Sequence, residues 1–93
     1  MEAVIRVYSG KGAKELYAEL EKNATEVQVL MRSVQGFVGY TLARTDAGGF
    51  SVTICLNQAG IDESVEKARA WVAKNAAHIG VEDPTVISGK VIG

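Results

Sequence analysis

The sequence predicts an α+β domain in which one four-stranded antiparallel sheet carries helices on a single face. Three observations predict it. Apolar and β-branched residues alternate along four short stretches, the period of a strand. Between the first and second stretches, and between the third and fourth, apolar residues recur every three or four positions, the spacing of a helix face. The second and third stretches are joined by a short turn containing Gly48 and Gly49, which makes them a hairpin.

The first strand is Ala3 to Tyr8, with Ala3, Ile5 and Val7 on one face and Val4, Arg6 and Tyr8 on the other. Ser9-Gly10-Lys11-Gly12 ends it. A helical pattern then runs from Ala13 to Val34, with Leu16, Leu20, Ala24, Val27, Met31 and Val34 as its apolar stripe. Asn23-Ala24-Thr25 is its weak point in helix propensity, and a break or bend is expected there. Gly36 stops the helix. Phe37 to Thr45 forms the second strand, with Val38, Tyr40 and Leu42 on one face. After the Asp46-Ala47-Gly48-Gly49 turn, where a glycine with positive φ is expected, Phe50 to Asn57 forms the third strand. Its alternation is the clearest in the chain: Phe50, Val52, Ile54 and Leu56 against Ser51, Thr53, Cys55 and Asn57. The second helix covers about Ile61 to Ala77, with Asp62 and Glu63 in its first turn and Gly80 beyond its end. Its stripe is Val65, Ala68, Val72 and Ile79, flanked by Trp71. The fourth strand runs from Thr85 to Ile92.

The order is β-α-β-β-α-β. Each helix connects two strands that run in the same direction, and such crossovers are right-handed, so both helices land on one face. This is the ferredoxin-like arrangement. Leu16, Leu20, Val27, Val52, Ile54 and Val72 are the expected core between helices and sheet.

The other face has no helix to cover it. On the third strand the polar row is assigned to that face. On the first, Val4 and Tyr8 are assigned there, on the second Phe37, and on the fourth Val86 and Ile92. A contiguous apolar surface of that kind is unusual on a soluble monomer. A second copy laid face to face would cover it, so a homodimer is expected, with Arg6 and the polar row pointing between the two sheets.

Composition bounds the function classes. The 93 residues form one expected domain, residues 1–93, with 47% apolar and 23% charged residues. The formal net charge is −1, and no basic run reaches five residues, so nothing recruits nucleic acid or an anionic membrane. The N-terminal residues lack the pattern of a signal peptide, and no apolar stretch approaches the ~20 residues of a membrane helix. A cytoplasmic protein is expected. Cys55 is the single cysteine, so no internal disulfide forms.

Four segments carry a resemblance. They are Val4-Ile5-Arg6-Val7-Tyr8, Arg32-Ser33-Val34-Gln35-Gly36-Phe37-Val38-Gly39-Tyr40, the Gly-Gly hairpin before Phe50, and Glu66-Lys67-Ala68-Arg69-Ala70-Trp71-Val72. Together the chain resembles the dimeric α/β-barrel superfamily. The second segment is similar to the P-G-F-x-G-Y run of antibiotic-biosynthesis-monooxygenase-like proteins, with Gln35 where proline is common. The resemblance implies two ferredoxin-like sheets closed into a barrel. It spans oxygenases, isomerases, haem-degrading enzymes and proteins of no known function.

Arg6, Tyr8, Tyr40 and Trp71 are the candidate ligand-binding residues. Cofactorless oxygenases of the resembled group hold an electron-rich phenol in a dry pocket with a few hydrogen-bonding groups, and these four residues could supply them. Packing is the alternative role for the aromatics. A charge in an otherwise apolar strand must reach water, an acid or a ligand, and for Arg6 an ion pair across the dimer is the first candidate. Haem-degrading relatives combine an asparagine on the first strand with a tryptophan and a histidine near the second helix. Trp71 and His78 echo that pair, but Ile5 and Arg6 stand where the asparagine would fall, which speaks against haem breakdown. His78 reads as an exposed helix-end residue. Cys55 has no base in view and reads as an inert thiol. Gly10-Lys11-Gly12 is too short for a phosphate loop, and no cluster has metal-ligand spacing. No catalytic residue and no cofactor are assigned. The expected function is a homodimeric protein binding a small aromatic or apolar ligand. The alternatives are a cofactor-independent monooxygenase acting on an aromatic or polyketide-like compound, and a structural or regulatory dimer without ligand.

Overall fold

The computed structural model describes every residue from Met1 to Gly93. The chain runs β1 (Glu2–Tyr8), α1 (Ala13–Lys22), α2 (Ala24–Arg32), β2 (Phe37–Arg44), β3 (Gly49–Cys55), α3 (Gln58–Asn75), a 3-10 turn (Ala77–Ile79) and β4 (Thr85–Lys90). The sheet order is β2-β3-β1-β4, and every neighbouring pair is antiparallel. The ferredoxin-like arrangement expected from the sequence is the one observed.

The long helical pattern breaks where its propensity is weakest. The backbone N–H of Asn23 donates to the carbonyls of Glu19 and Leu20, and its side-chain amide donates to the Glu19 carbonyl at 2.8 Å. Its own carbonyl accepts from Val27 N–H at 3.0 Å, so one residue closes α1 and opens α2. Gly36, with φ 66°, turns the chain into β2. The third helix starts three residues before the expected Ile61, because the Asn57 side chain accepts from the Gly60 N–H at 3.1 Å. Asp62 and Glu63 therefore lie beyond the first turn, and the helix ends at Asn75 rather than Ala77.

The hairpin needs both its glycines. Gly48 takes φ 157°, the positive sign expected. A Cβ on Gly48 would strike the Tyr8 carbonyl oxygen and Ala13. A Cβ on Gly49 would strike the Tyr17 ring and lie 2.6 Å from the Ala43 carbonyl oxygen. The turn thus lets α1 pack directly onto backbone.

On β1, β3 and β4 the strand faces are the reverse of those expected, whereas Tyr40 and Leu42 of β2 lie on the helix side as expected. Val4, Arg6 and Tyr8 of β1 are buried beneath the helices, as are Ser51, Thr53 and Cys55 of β3. The register places Ala3, Ile5 and Val7 beside Ile54, Val52 and Phe50 on the open face. Ile87 of β4 joins them opposite Ile5, while Val86 lies beside Arg6 on the helix side. Val52 and Ile54 are consequently half-buried rather than core, and Val72 is half-buried too. The fourth strand stops at Lys90, and Ile92 lies beyond it, 97% exposed. On β2 a bulge between Phe37 and Gly39 brings Phe37 to the helix side with Tyr40 and Leu42 and leaves Val38 exposed.

The reason is steric and chemical. Small Ser51, Thr53 and Cys55 on a central strand leave room beneath the helices for the rings of Tyr8, Tyr17 and Trp71. The larger apolar side chains of β3 are left for a surface that no element of the chain covers. The helix-side core comprises Leu16, Leu20, Val27 and Met31 around those rings. A smaller cluster, Val4, Val34, Cys55 and Ile61, sits at the other end.

Candidate functional site

Between the sheet and the three helices lies a small internal cavity of about 30 Å³. The sequence places all three tyrosines and the single tryptophan of the chain on its wall, together with Arg6. Arg6 and Tyr8 come from β1, Tyr17 from α1, Tyr40 from β2 and Trp71 from α3. Ser51 adds a hydroxyl from β3, and Leu16, Met31 and Leu42 contribute apolar wall. Arg6, Tyr8, Tyr40 and Trp71 are thus brought together. They converge on the helix side of the sheet, not between two sheets as the sequence suggested.

Arg6 is the chemical anomaly. It is only 7% exposed. One Nη2–H donates to the Tyr8 hydroxyl at 2.9 Å, and the guanidinium carbon lies 5.6 Å from the centre of the Tyr8 ring. Its Nε–H is buried without any partner. The ion pairs of the chain are elsewhere: Lys22–Glu19, Arg44–Glu21 and Lys67–Glu63. Arg6 faces the helices, on the opposite side of the sheet from the open face where a second copy was expected to lie.

The phenols around it stay protonated. Burial raises the pKa of Tyr8 against the opposing pull of Arg6. Burial pushes Tyr40 up to about 12, again opposed by Arg6. Burial and the neighbouring phenols raise Tyr17 further. The Tyr8 and Tyr17 rings meet at 6.1 Å between centres, tilted by 58°. At neutral pH the site therefore presents a cation and neutral hydroxyls. The Trp71 N–H is already committed to Glu26, at 2.8 Å, so Trp71 offers the cavity a ring and no donor.

Two open clefts flank the cavity. One, of about 510 Å³, lies between α3 and β4 and shares Arg6, Tyr8 and Val72 with it. Arg69, Glu82 and Asp83 form its charged rim. The other, of about 390 Å³, lies between the α1–α2 region and β2 and shares Tyr17, Tyr40 and Leu42. An Arg44–Glu21 ion pair of 2.7 Å joins two of the residues lining it.

Tyr17 was missed by sequence reasoning, although it follows Leu16 and precedes Leu20 by three positions, on the same buried stripe. Ser51 was missed because its strand face was reversed. His78 sits exposed in the 3-10 turn after α3 and lines none of these spaces. Cys55 is fully buried, and burial raises its pKa, which makes it a poor nucleophile. No three His, Cys, Asp or Glu side chains converge to hold a metal ion. No helix is long and apolar enough to cross a membrane.

No protein-family model matches the sequence, and no curated protein matches it. Solved structures do resemble it in fold. A protein of unknown function from Nitrosomonas europaea superposes with a TM-score of 0.71 at 15% identity, over 99% of this chain and 88% of that one. A candidate antibiotic biosynthesis monooxygenase from Caulobacter crescentus gives 0.70 at 15% identity, over 99% and 90%. An MhuD variant, solved with two manganese protoporphyrin IX molecules per active site, gives 0.65 at 21% identity, over 98% and 93%. The chain therefore has the ferredoxin-like fold shared by antibiotic-biosynthesis-monooxygenase-like and dabb-family structures. The donors lining this cavity do not match a haem site held by histidine. They are a guanidinium, phenols and a serine hydroxyl, and the single imidazole of the chain lies outside it.

Proposed function

We propose that this protein is a homodimer that binds a small, largely apolar or aromatic molecule between its sheet and its helices. The observation that carries the proposal is the convergence of Arg6, Tyr8, Tyr17, Tyr40 and Trp71 on one cavity with an open cleft on either side. A chain seldom collects all its tyrosines around a buried guanidinium with an unpartnered Nε–H for packing alone, since such a donor costs stability. The cavity itself holds about one water-sized group, so the body of a ligand lies in an adjoining cleft.

Pairing follows from the open face. Ala3, Ile5, Val7, Phe50, Val52, Ile54 and Ile87 form one apolar field across three strands. Covering it is worth roughly 25 cal/mol per Å². A two-fold pair of copies covers it with one self-complementary surface, burying roughly 1,200–2,500 Å² in total.

Trp71 is the only tryptophan, so its fluorescence reports occupancy of this cavity. Titration with 1,8-dihydroxyanthraquinone should quench it saturably, and Ala68→Phe, which fills the cavity wall, should abolish the effect. No quenching, or quenching unchanged by Ala68→Phe, would remove the cavity as the site.

A cofactor-independent oxygenase is the second reading. It is favoured by the same guanidinium, which would stabilise the ionised form of a phenolic substrate so that it reacts with oxygen directly. Oxygen consumption on adding a quinol substrate, lost in Arg6→Met, separates it from binding alone.

A further inference from the structure

We infer that the ligand of this site is a carboxylic acid, with its carboxylate held by Arg6 and its apolar body in the cleft between α3 and β4. The inference rests on the proposed ligand site and adds the charge and head group of the ligand.

A guanidinium taken out of water needs a counter-charge or a full set of acceptors. Arg6 has neither within the chain. It is 93% buried (7% exposed), one Nη–H reaches the Tyr8 hydroxyl, and the Nε–H reaches nothing. The missing group is an acceptor at the Nε edge. That edge presents Nε–H and an Nη–H side by side, the fork that fits the two oxygens of a carboxylate.

The wall of the inner cavity supplies donors and carries no carboxylate of its own. Tyr8, Tyr17 and Tyr40 keep their protons and can donate, and Ser51 adds another hydroxyl. The one carboxylate bonded to a wall residue, Glu26, is turned to the Trp71 N–H and not to Arg6. Glu82 and Asp83 stand on the rim of the cleft and form no ion pair with Arg6.

Size points the same way. A space of about 30 Å³ takes no more than one carboxylate oxygen and excludes a ring, so the rest of the head group lies where Arg6 faces the adjoining cleft. Arg6 and Tyr8 also line the 510 Å³ cleft, where Val72, Val81, Pro84 and Val86 offer apolar wall to the rest of the molecule. The rim carries one base, Arg69, against two acids, Glu82 and Asp83, so the pull on a carboxylate comes from Arg6 and not from the mouth.

The test compares 1-naphthoate with its neutral isostere 1-naphthamide by calorimetry, with the NMR signal of the Trp71 indole followed in parallel. Wild type should bind the acid at least tenfold more tightly than the amide. Arg6→Met should bring the two within about twofold by weakening the acid alone. Arg6→Lys should keep part of the preference, since it retains the charge without the fork. The lysine variant carries the test if the methionine variant does not fold. Equal binding of acid and amide to wild type, both moving the Trp71 signal, would overturn the acid inference and leave the ligand site standing. A preference that survives in Arg6→Met would overturn it as well. Binding of neither probe would overturn both.

Discussion

Arg6→Met should make the free protein more stable, and the size of the gain follows from what Arg6 does in the fold. The substitution removes one hydrogen bond from a charged donor to the Tyr8 hydroxyl. Such bonds contribute about 1.5–3 kcal/mol. It also removes the cost of keeping a cation 93% buried (7% exposed) with an unpartnered Nε–H. That cost is several kcal/mol for an unpaired ion. Methionine keeps a long flexible stem among Leu16, Met31 and Val72, which also line the cavity. The balance favours the variant by about 1–2 kcal/mol, which in a domain of this size raises the melting temperature by about 5–10 °C. The assay is thermal unfolding followed by circular dichroism. Both proteins must be at the same concentration, because self-association makes the midpoint concentration-dependent. A midpoint lowered by about 5 °C or more would refute the reasoning. It would mean that Arg6 holds the fold together and is not held in reserve for a ligand.

Three further outcomes are expected. Gly49→Ala places a methyl group against the Tyr17 ring and the Ala43 carbonyl, and should destabilise by about 1–3 kcal/mol in a denaturant titration, whereas Gly89→Ala, at a position open on all sides, should not. Ile54→Asp puts a charge in the centre of the open apolar face and should convert a dimer to a folded monomer by sedimentation velocity, with the circular dichroism spectrum retained. The Glu63 carboxyl is held below the usual carboxylate range, first by its hydrogen bond from Lys67 and then by the Gln35 N–H. A depressed pKa contributes stability that is present above the unfolded value, about 4.3 for glutamate, and is lost as pH falls through the folded value. Glu63→Gln should therefore be less stable than wild type at neutral pH, and the gap should close in acid.

The element order, the hairpin and the break at Asn23 were legible because each rests on local chemistry: a period, a glycine pair, a weak propensity. The choice of strand face was not. On β3 the alternation was clean, and an apolar row is ordinarily assigned to the helices. Here the helices take Ser51, Thr53 and Cys55, because bulky rings from α1 and α3 need small partners beneath them. The apolar row is left to a surface whose complement is not in the chain, and no single sequence reveals which of two half-apolar faces that is. The bulge at Val38 was hidden for a related reason, since one extra residue changes the face of Phe37 without changing the composition. The site was half legible. Arg6 stood out as a charge in an apolar strand, and Tyr8, Tyr40 and Trp71 as amphipathic rings. Tyr17 looked like ordinary stripe, and only the packing of α1 on the hairpin aims it at the others.

The arginine Nε–H resonance of Arg6 gives the most direct test that this buried corner is a ligand site. It can be followed by NMR while 1-naphthoate is titrated into the protein. The prediction is that this resonance, the Trp71 indole and the Tyr40 amide move together and saturate at one ligand per chain. If the Arg6 and Trp71 signals stay fixed while those of Ile5, Val52 and Ile54 on the open face move, the ligand sits on the other side of the sheet and the proposed site is wrong.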